Sequence, residues 1–131
     1  MRLLGIDYGS ARIGVALGDT ETRLASAWSV IENHGDAEAV TALINLAQKE
    51  SVDAFVIGVP KPLGDQTRET DQAKTIRAFA ERLSAAGAKV FEADETLSTA
   101  LAKKQQVEQG GKHKRDDLAA AAILQMWLDR R

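Results

Sequence analysis

Asp7 stands in Leu3-Leu4-Gly5-Ile6-Asp7-Tyr8, a carboxylate inside an otherwise apolar run with a glycine close on either side. An ionised carboxylate left unpaired in such surroundings is costly, so it needs a partner or a use. Two further acidic sites accompany it: Asp94-Glu95 comes after the short strand Val90-Phe91-Glu92, and Asp116-Asp117 opens the Ala-rich terminal helix. Each has a plain alternative when taken alone. Asp7 can be a salt-bridged residue at a strand end, Asp94-Glu95 can be the acidic first turn of a helix near Thr96 or Ser98, and Asp116-Asp117 can cap a helix. Together they suggest chemistry. Three carboxylates gathered within about 4 Å repel by about 4 kcal/mol per pair at an effective dielectric near 20, so a cluster demands cations or raised pKa values. With no Cys and two His in the chain, an all-oxygen set suits Mg²⁺ or Mn²⁺ better than zinc. Two such ions, about 3.5 to 4 Å apart, activate water and stabilise the leaving oxygen of a phosphodiester, which is nuclease chemistry.

Groups able to hold a phosphate lie beside these acids. Ser10 and Arg12 fall in the turn after Asp7, although Arg12 can equally be a solvated hairpin residue. Lys112, Lys114 and Arg115 immediately precede Asp116, where they can follow a nucleic-acid backbone or simply form a solvated loop. His113 among them can move a proton, but a lone exposed His usually does not. Gly5, Gly9 and Gly14 resemble a phosphate-cradling loop, yet their context is strand-turn-strand, whereas the dinucleotide fingerprint needs a strand feeding a helix.

The elements that must position these residues are legible from periodicity. Leu3, Leu4 and Ile6, then Ile13, Val15 and Leu17, flank Gly9-Ser10-Ala11-Arg12 as a hairpin, with Ala25 to Ile31 a third strand beside them. Val40, Leu43, Ile44 and Ala47 mark a one-striped helix with Asp36 as its N-cap. Ala54 to Val59 reads as a strand buried on both faces, ended by Pro60 and Pro62. A second helix runs from about Glu69, with Ile76, Phe79, Ala80 and Leu83 on one face and Gly87 as its stop. A short strand over Lys89 to Glu92, a helix over 98–109, a Gly110-Gly111 loop with the basic run, and a helix from Asp116 to Leu128 complete the chain. This order predicts an α/β fold, a mixed sheet flanked by helices with an antiparallel meander at one end. Right-handed crossovers would put the C-terminal ends of the parallel strands on one side, where ligands are expected.

Composition fits one domain over residues 1–131. Leu, Ile, Val and Phe make up about a quarter of the chain, above the range of disordered proteins. Without Cys no disulfide scaffold or thiol chemistry is available. The few apolar residues before Asp7 are too short for a secretory h-region, so no leader is expected, and the longest apolar run, Leu118 to Leu124, is far below the 18 or more residues of a membrane span. A cytoplasmic location with no membrane partner is the expectation. The net charge of −2 argues against a blanket nucleic-acid binder while leaving room for a local basic patch.

The chain resembles the YqgF-type family of pre-16S ribosomal RNA nucleases, also described as Holliday junction resolvases, over nearly its whole length. The resemblance rests on Gly5-Ile6-Asp7-Tyr8-Gly9-Ser10 with Ile13-Gly14-Val15-Ala16, on Val56-Ile57-Gly58-Val59-Pro60, on Asp94-Glu95-Thr96-Leu97-Ser98-Thr99, and on Asp116 before the Ala-rich helix. It implies a ribonuclease H-like fold with a five-stranded mixed sheet. It also implies a catalytic and metal site in which Asp7 on the first strand bridges two ions, while Glu95, after the last strand, and Asp116 hold one each. Ser10, Arg12, Lys112, Lys114 and Arg115 would position the phosphate backbone, and water would be the nucleophile. Two positions depart from the pattern. Thr96 stands where the family usually has Arg, and the 60–66 loop carries Lys61 and Pro62 where more neutral residues are usual. Asp117 leaves the third ligand open by one position, since helical neighbours are about 100° apart.

The leading expectation is a Mg²⁺- or Mn²⁺-dependent endonuclease acting on RNA, the resemblance implying maturation of the ribosomal precursor and contact with precursor particles, as a monomer or homodimer. A junction resolvase acting on branched DNA shares the centre and is the nearest rival. A phosphotransferase of the actin and sugar-kinase type shares the look of Ile6-Asp7-Tyr8-Gly9-Ser10, but 131 residues lack the second domain and second phosphate loop it requires. A non-catalytic RNA-binding factor of the same fold is the third possibility.

Overall fold

A computed structural model describes residues 1–60, 70–95 and 115–131, with the backbone alone at Glu95 and Arg115. Its elements are β1 (Arg2–Tyr8), β2 (Arg12–Asp19), β3 (Leu24–Glu32), α1 (Asp36–Lys49), β4 (Ala54–Pro60), α2 (Asp71–Ala85), β5 (Val90–Glu95) and α3 (Arg115–Asp129). The expected helix over 98–109 and the basic loop lie outside the described residues.

The five strands form one sheet in the order β3-β2-β1-β4-β5. β1–β2 and β2–β3 pair antiparallel, as the meander requires, whereas β1–β4 and β4–β5 pair parallel. The mixed, five-stranded arrangement is the one expected. The C-terminal ends of β1, β4 and β5 therefore point the same way, and Asp7, Pro60 and Glu95 sit at that edge. β5 is longer than anticipated: it continues to Glu95, which pairs with Pro60, so Glu95 is the strand's last residue and not part of a following loop.

Strand alternation splits the core into two layers. Leu4, Ile6, Ile13, Val15, Phe55, Ile57 and Val59 face α1 and α2, packing on Leu43, Ile76, Phe79 and Leu83. Leu3, Ala16, Ala54, Val56 and Ala93 face α3 and meet Ala120, Ile123, Leu124, Trp127 and Leu128. β4 is buried along almost its whole length because it is central and covered on both sides. Two local expectations need revision. Gly35, at φ 120°, and not Asp36, occupies the cap position of α1, because the Asp36 carboxylate accepts the Tyr8 hydroxyl at 2.7 Å instead. α2 starts at Asp71, where the Thr70 side chain caps it by accepting from the Ala73 amide.

The α3 face of the sheet is paved with small residues. A Cβ on Gly5 or Gly18 would press into Leu124, one on Gly58 into Ile123, and one on Gly14 would collide with the backbone carbonyl of Asp116. Two of the three glycines that looked like a phosphate loop, Gly5 and Gly14, are thus the seat of α3. Gly9 has a separate reason, since a Cβ there would strike the Arg12 carbonyl across the β1–β2 turn.

Candidate active site

Asp7 belongs to the row Leu3, Gly5, Asp7 that faces α3, and it is 5% exposed, the one buried charged side chain among the described residues. Its partner across the antiparallel ladder is Gly14, the residue on which the first turn of α3 rests. The same glycine contact that lets α3 approach the sheet therefore brings the backbone of Asp116 and Asp117 alongside the strand pair that carries Asp7. Position 95 has the parity of Phe91 and Ala93, which pack on the α3 side. At about 4.8 Å per strand, two steps separate β1 from β5, roughly 10 Å between backbones.

Asp116 and Asp117 occupy the first turn of α3, inside the helix and not at its cap. One helical stripe separates them. Asp116 lies seven residues before Ile123, which meets Gly58 of β4, and Asp117 seven before Leu124, which meets Gly5 of β1 and Gly18 of β2. Residues seven apart lie on nearly the same side of a helix, so the two carboxylates leave the helix in different directions, while the first turn itself rests on β2, where the Asp116 carbonyl meets Gly14. The Asp116 Oδ2 accepts from Arg12 Nε at 3.0 Å; the side chains are 16% and 38% exposed. Asp117 Oδ1 is buried with no hydrogen-bond partner.

Of the remaining expected site residues, Ser10 is exposed in the β1–β2 turn, at the same edge as Asp7, and Arg12 opens β2. Arg115 is the first residue of α3 by its backbone. Lys112, His113 and Lys114 lie outside the described residues, as do Thr96, Lys61 and Pro62. The turn itself is held by a residue that sequence reading missed: Asn33 Nδ2 donates to the Gly9 carbonyl at 2.8 Å, and the Asn33 amide to the Ala11 carbonyl at 2.9 Å. Asn33-His34-Gly35 signals a turn, but nothing local in the sequence names the distant loop it braces.

The donor set suits a hard divalent cation. A buried carboxylate, a second one already holding a cation in the form of Arg12, and a buried unpaired carboxylate oxygen on Asp117 all lie at the α3 N-terminus, and their ligand atoms are all oxygen. Among the described residues no three His, Asp or Glu side chains form a metal-holding group; the Glu95 side chain is not among them.

A family model described as RuvX, Holliday junction resolvase, matches residues 1–130. A protein of Anaeromyxobacter dehalogenans (strain 2CP-C) named "Putative pre-16S rRNA nuclease" is 39% identical, covering 100% of this chain and 98% of its own. One of the same name from Anaeromyxobacter sp. (strain Fw109-5) is 43% identical over the same shares. Among solved structures, T. thermophilus RuvC in complex with a Holliday junction aligns at a TM-score of 0.61 and 15% identity, over 100% of this chain and 96% of that one. The yeast mitochondrial Holliday junction resolvase aligns at 0.52 and 13% identity, over 96% and 77%. The fold is ribonuclease H-like, as these resolvases are.

Proposed function

The chain belongs to the RuvX family of Holliday junction resolvases, and from that premise we propose that it is a metal-dependent endonuclease that hydrolyses phosphodiester bonds in RNA, in 5′-end maturation of pre-16S rRNA. The RNA substrate follows the names of its full-length relatives. The observation that carries the chemistry is Asp7: a buried carboxylate on the α3 side of β1, beside the glycine that seats Asp116. One nuclease domain over 1–131, in the cytoplasm, completes the reading; no described helix is long and apolar enough to cross a membrane.

In this reading Asp7, Glu95 and Asp116 would hold Mg²⁺ or Mn²⁺. When bound, the ions supply positive charge at the scissile phosphate and lower the pKa of the attacking water. Ser10 and Arg12, braced by Asn33 at the edge where Asp7 ends β1, orient that phosphate. Lys112, Lys114 and Arg115 run along the neighbouring backbone, setting its register without reading sequence. Burial of Asp7 keeps its carboxylate fixed and poorly hydrated, so little reorganisation accompanies reaction.

The test is Mn²⁺-dependent cleavage of a labelled precursor-rRNA fragment and of a four-way DNA junction by wild type, Asp7→Asn and Glu95→Gln at one salt concentration. RNA cleavage abolished by both substitutions supports the proposal. Junction-only cleavage transfers the site to branched DNA, which the description of the family model favours, and an inert wild type argues for a non-catalytic RNA-binding role.

A further inference from the structure

Arg12 does something more specific than wait for a phosphate. Its Nε donates to Asp116 Oδ2 at 3.0 Å, so the cation of the β1–β2 turn sits on a carboxylate oxygen of the candidate metal site. Asp116 is 16% exposed and Arg12 38%, so the pair is shielded at the acid and open to solvent at the base. Nearby, Asp7 is buried and Asp117 Oδ1 is buried without a partner. A site with this many carboxylates needs positive charge even before any metal arrives, and Arg12 supplies it.

We infer that Arg12 is an exchangeable internal counter-cation: it neutralises Asp116 in the metal-free protein, is displaced when a divalent ion takes that oxygen, and is thereby freed to bind the nucleic-acid phosphate. This rests on the metal site proposed above and adds to it an order of events. A guanidinium and a metal ion compete for one carboxylate oxygen, so the arginine weakens metal binding when no nucleic acid is present. A phosphate that captures the guanidinium bidentately removes the competitor, and by linkage nucleic acid and metal each tighten the other's binding by the same factor. Ions would then be held weakly by the free protein and firmly only with substrate in place. Arg12 is a positioning residue in this scheme, acting on the metal through Asp116.

The experiment measures Mn²⁺ affinity of the full chain without nucleic acid, by electron paramagnetic resonance of free Mn²⁺, for wild type, Arg12→Gln, Arg12→Lys and Asp116→Asn. Removing one adjacent positive charge from a partly shielded site should tighten binding about tenfold in Arg12→Gln, while Arg12→Lys stays within about twofold of wild type because the charge remains. Asp116→Asn should weaken binding. Unchanged or weaker Mn²⁺ affinity in Arg12→Gln, with weakening in Asp116→Asn, overturns the exchange and leaves the metal site standing. Indifference of binding to Asp116→Asn overturns both. A second measurement avoids substitution: the Arg12 Nε–H resonance of the wild-type protein should move as Mg²⁺ is added, and its staying in place at saturating Mg²⁺ refutes displacement.

Discussion

Tyr8 follows Asp7 and points to the other face of the sheet, where its ring lies 4.6 Å from that of Phe79 and its hydroxyl donates to Asp36. Burial first, and then the bond to Asp36, raise its pKa above the ordinary 10.0. A raised pKa means that the contribution of the pair to stability is fully present below the unfolded value and is lost as pH rises through the folded one. Tyr8 is the only tyrosine in the chain, so its titration can be followed by ultraviolet absorbance without ambiguity: the midpoint should lie above 10.0 and fall in Asp36→Ala. A midpoint at or below the ordinary value in the folded wild type contradicts the bond. Asp7 gives the opposite contrast between stability and use. If it serves as a ligand, Asp7→Asn removes a desolvated charge, so thermal stability should hold or rise while cleavage falls at least about 100-fold. If Asp7 is instead half of a structural ion pair, the same change should destabilise by about 3–5 kcal/mol, which calorimetry distinguishes at once.

At the scale of elements, the candidate site depends on α3 lying close on the sheet. Gly14 is the tightest point: an added methyl there meets backbone, which cannot rotate away as the tip of the Ile123 side chain can at Gly58. Gly14→Ala should cost about 1–3 kcal/mol by overpacking, lower the melting temperature by several degrees, and impair cleavage because Asp116 moves with the helix. Gly35→Ala is the control. Space there is open but φ is 120°, so it should cost about 1 kcal/mol through backbone conformation alone and leave cleavage intact; equal loss of activity in both variants would sink the seating argument. This also marks what the sequence could reveal. The alternation of Leu3 to Ile6 and Ile13 to Leu17 and the stripes of α1 and α2 made the sheet and its helices readable, and Asp7, Glu95 and Asp116 were nameable as candidates. The glycines were harder, since a gap left for a helix a hundred residues away looks locally like a phosphate loop. Nor does spacing tell that Arg12 reaches Asp116, or that Asp36 gives up a cap to bind Tyr8, because both depend on long-range register.

Taken whole, the molecule carries a net charge of −2 and an isoelectric point near 5.7, an unpromising balance for binding a polyanion. On the proposed reading its affinity comes from a few cations, supplemented by metal ions, and not from a general field. That has a measurable signature. With Arg12, Lys112, Lys114 and Arg115 as the phosphate contacts, the logarithm of affinity for single-stranded RNA should fall against the logarithm of salt with a slope of about −3. Replacing Lys112, Lys114 and Arg115 together by Gln should flatten the slope by about 2 and weaken all sequences alike. Anisotropy titrations from low to physiological salt, with Ca²⁺ in place of Mg²⁺ to suppress turnover, would decide it. A slope unchanged by the triple substitution would move the binding surface away from the α3 end of the sheet, and with it the path by which a phosphate reaches Asp7.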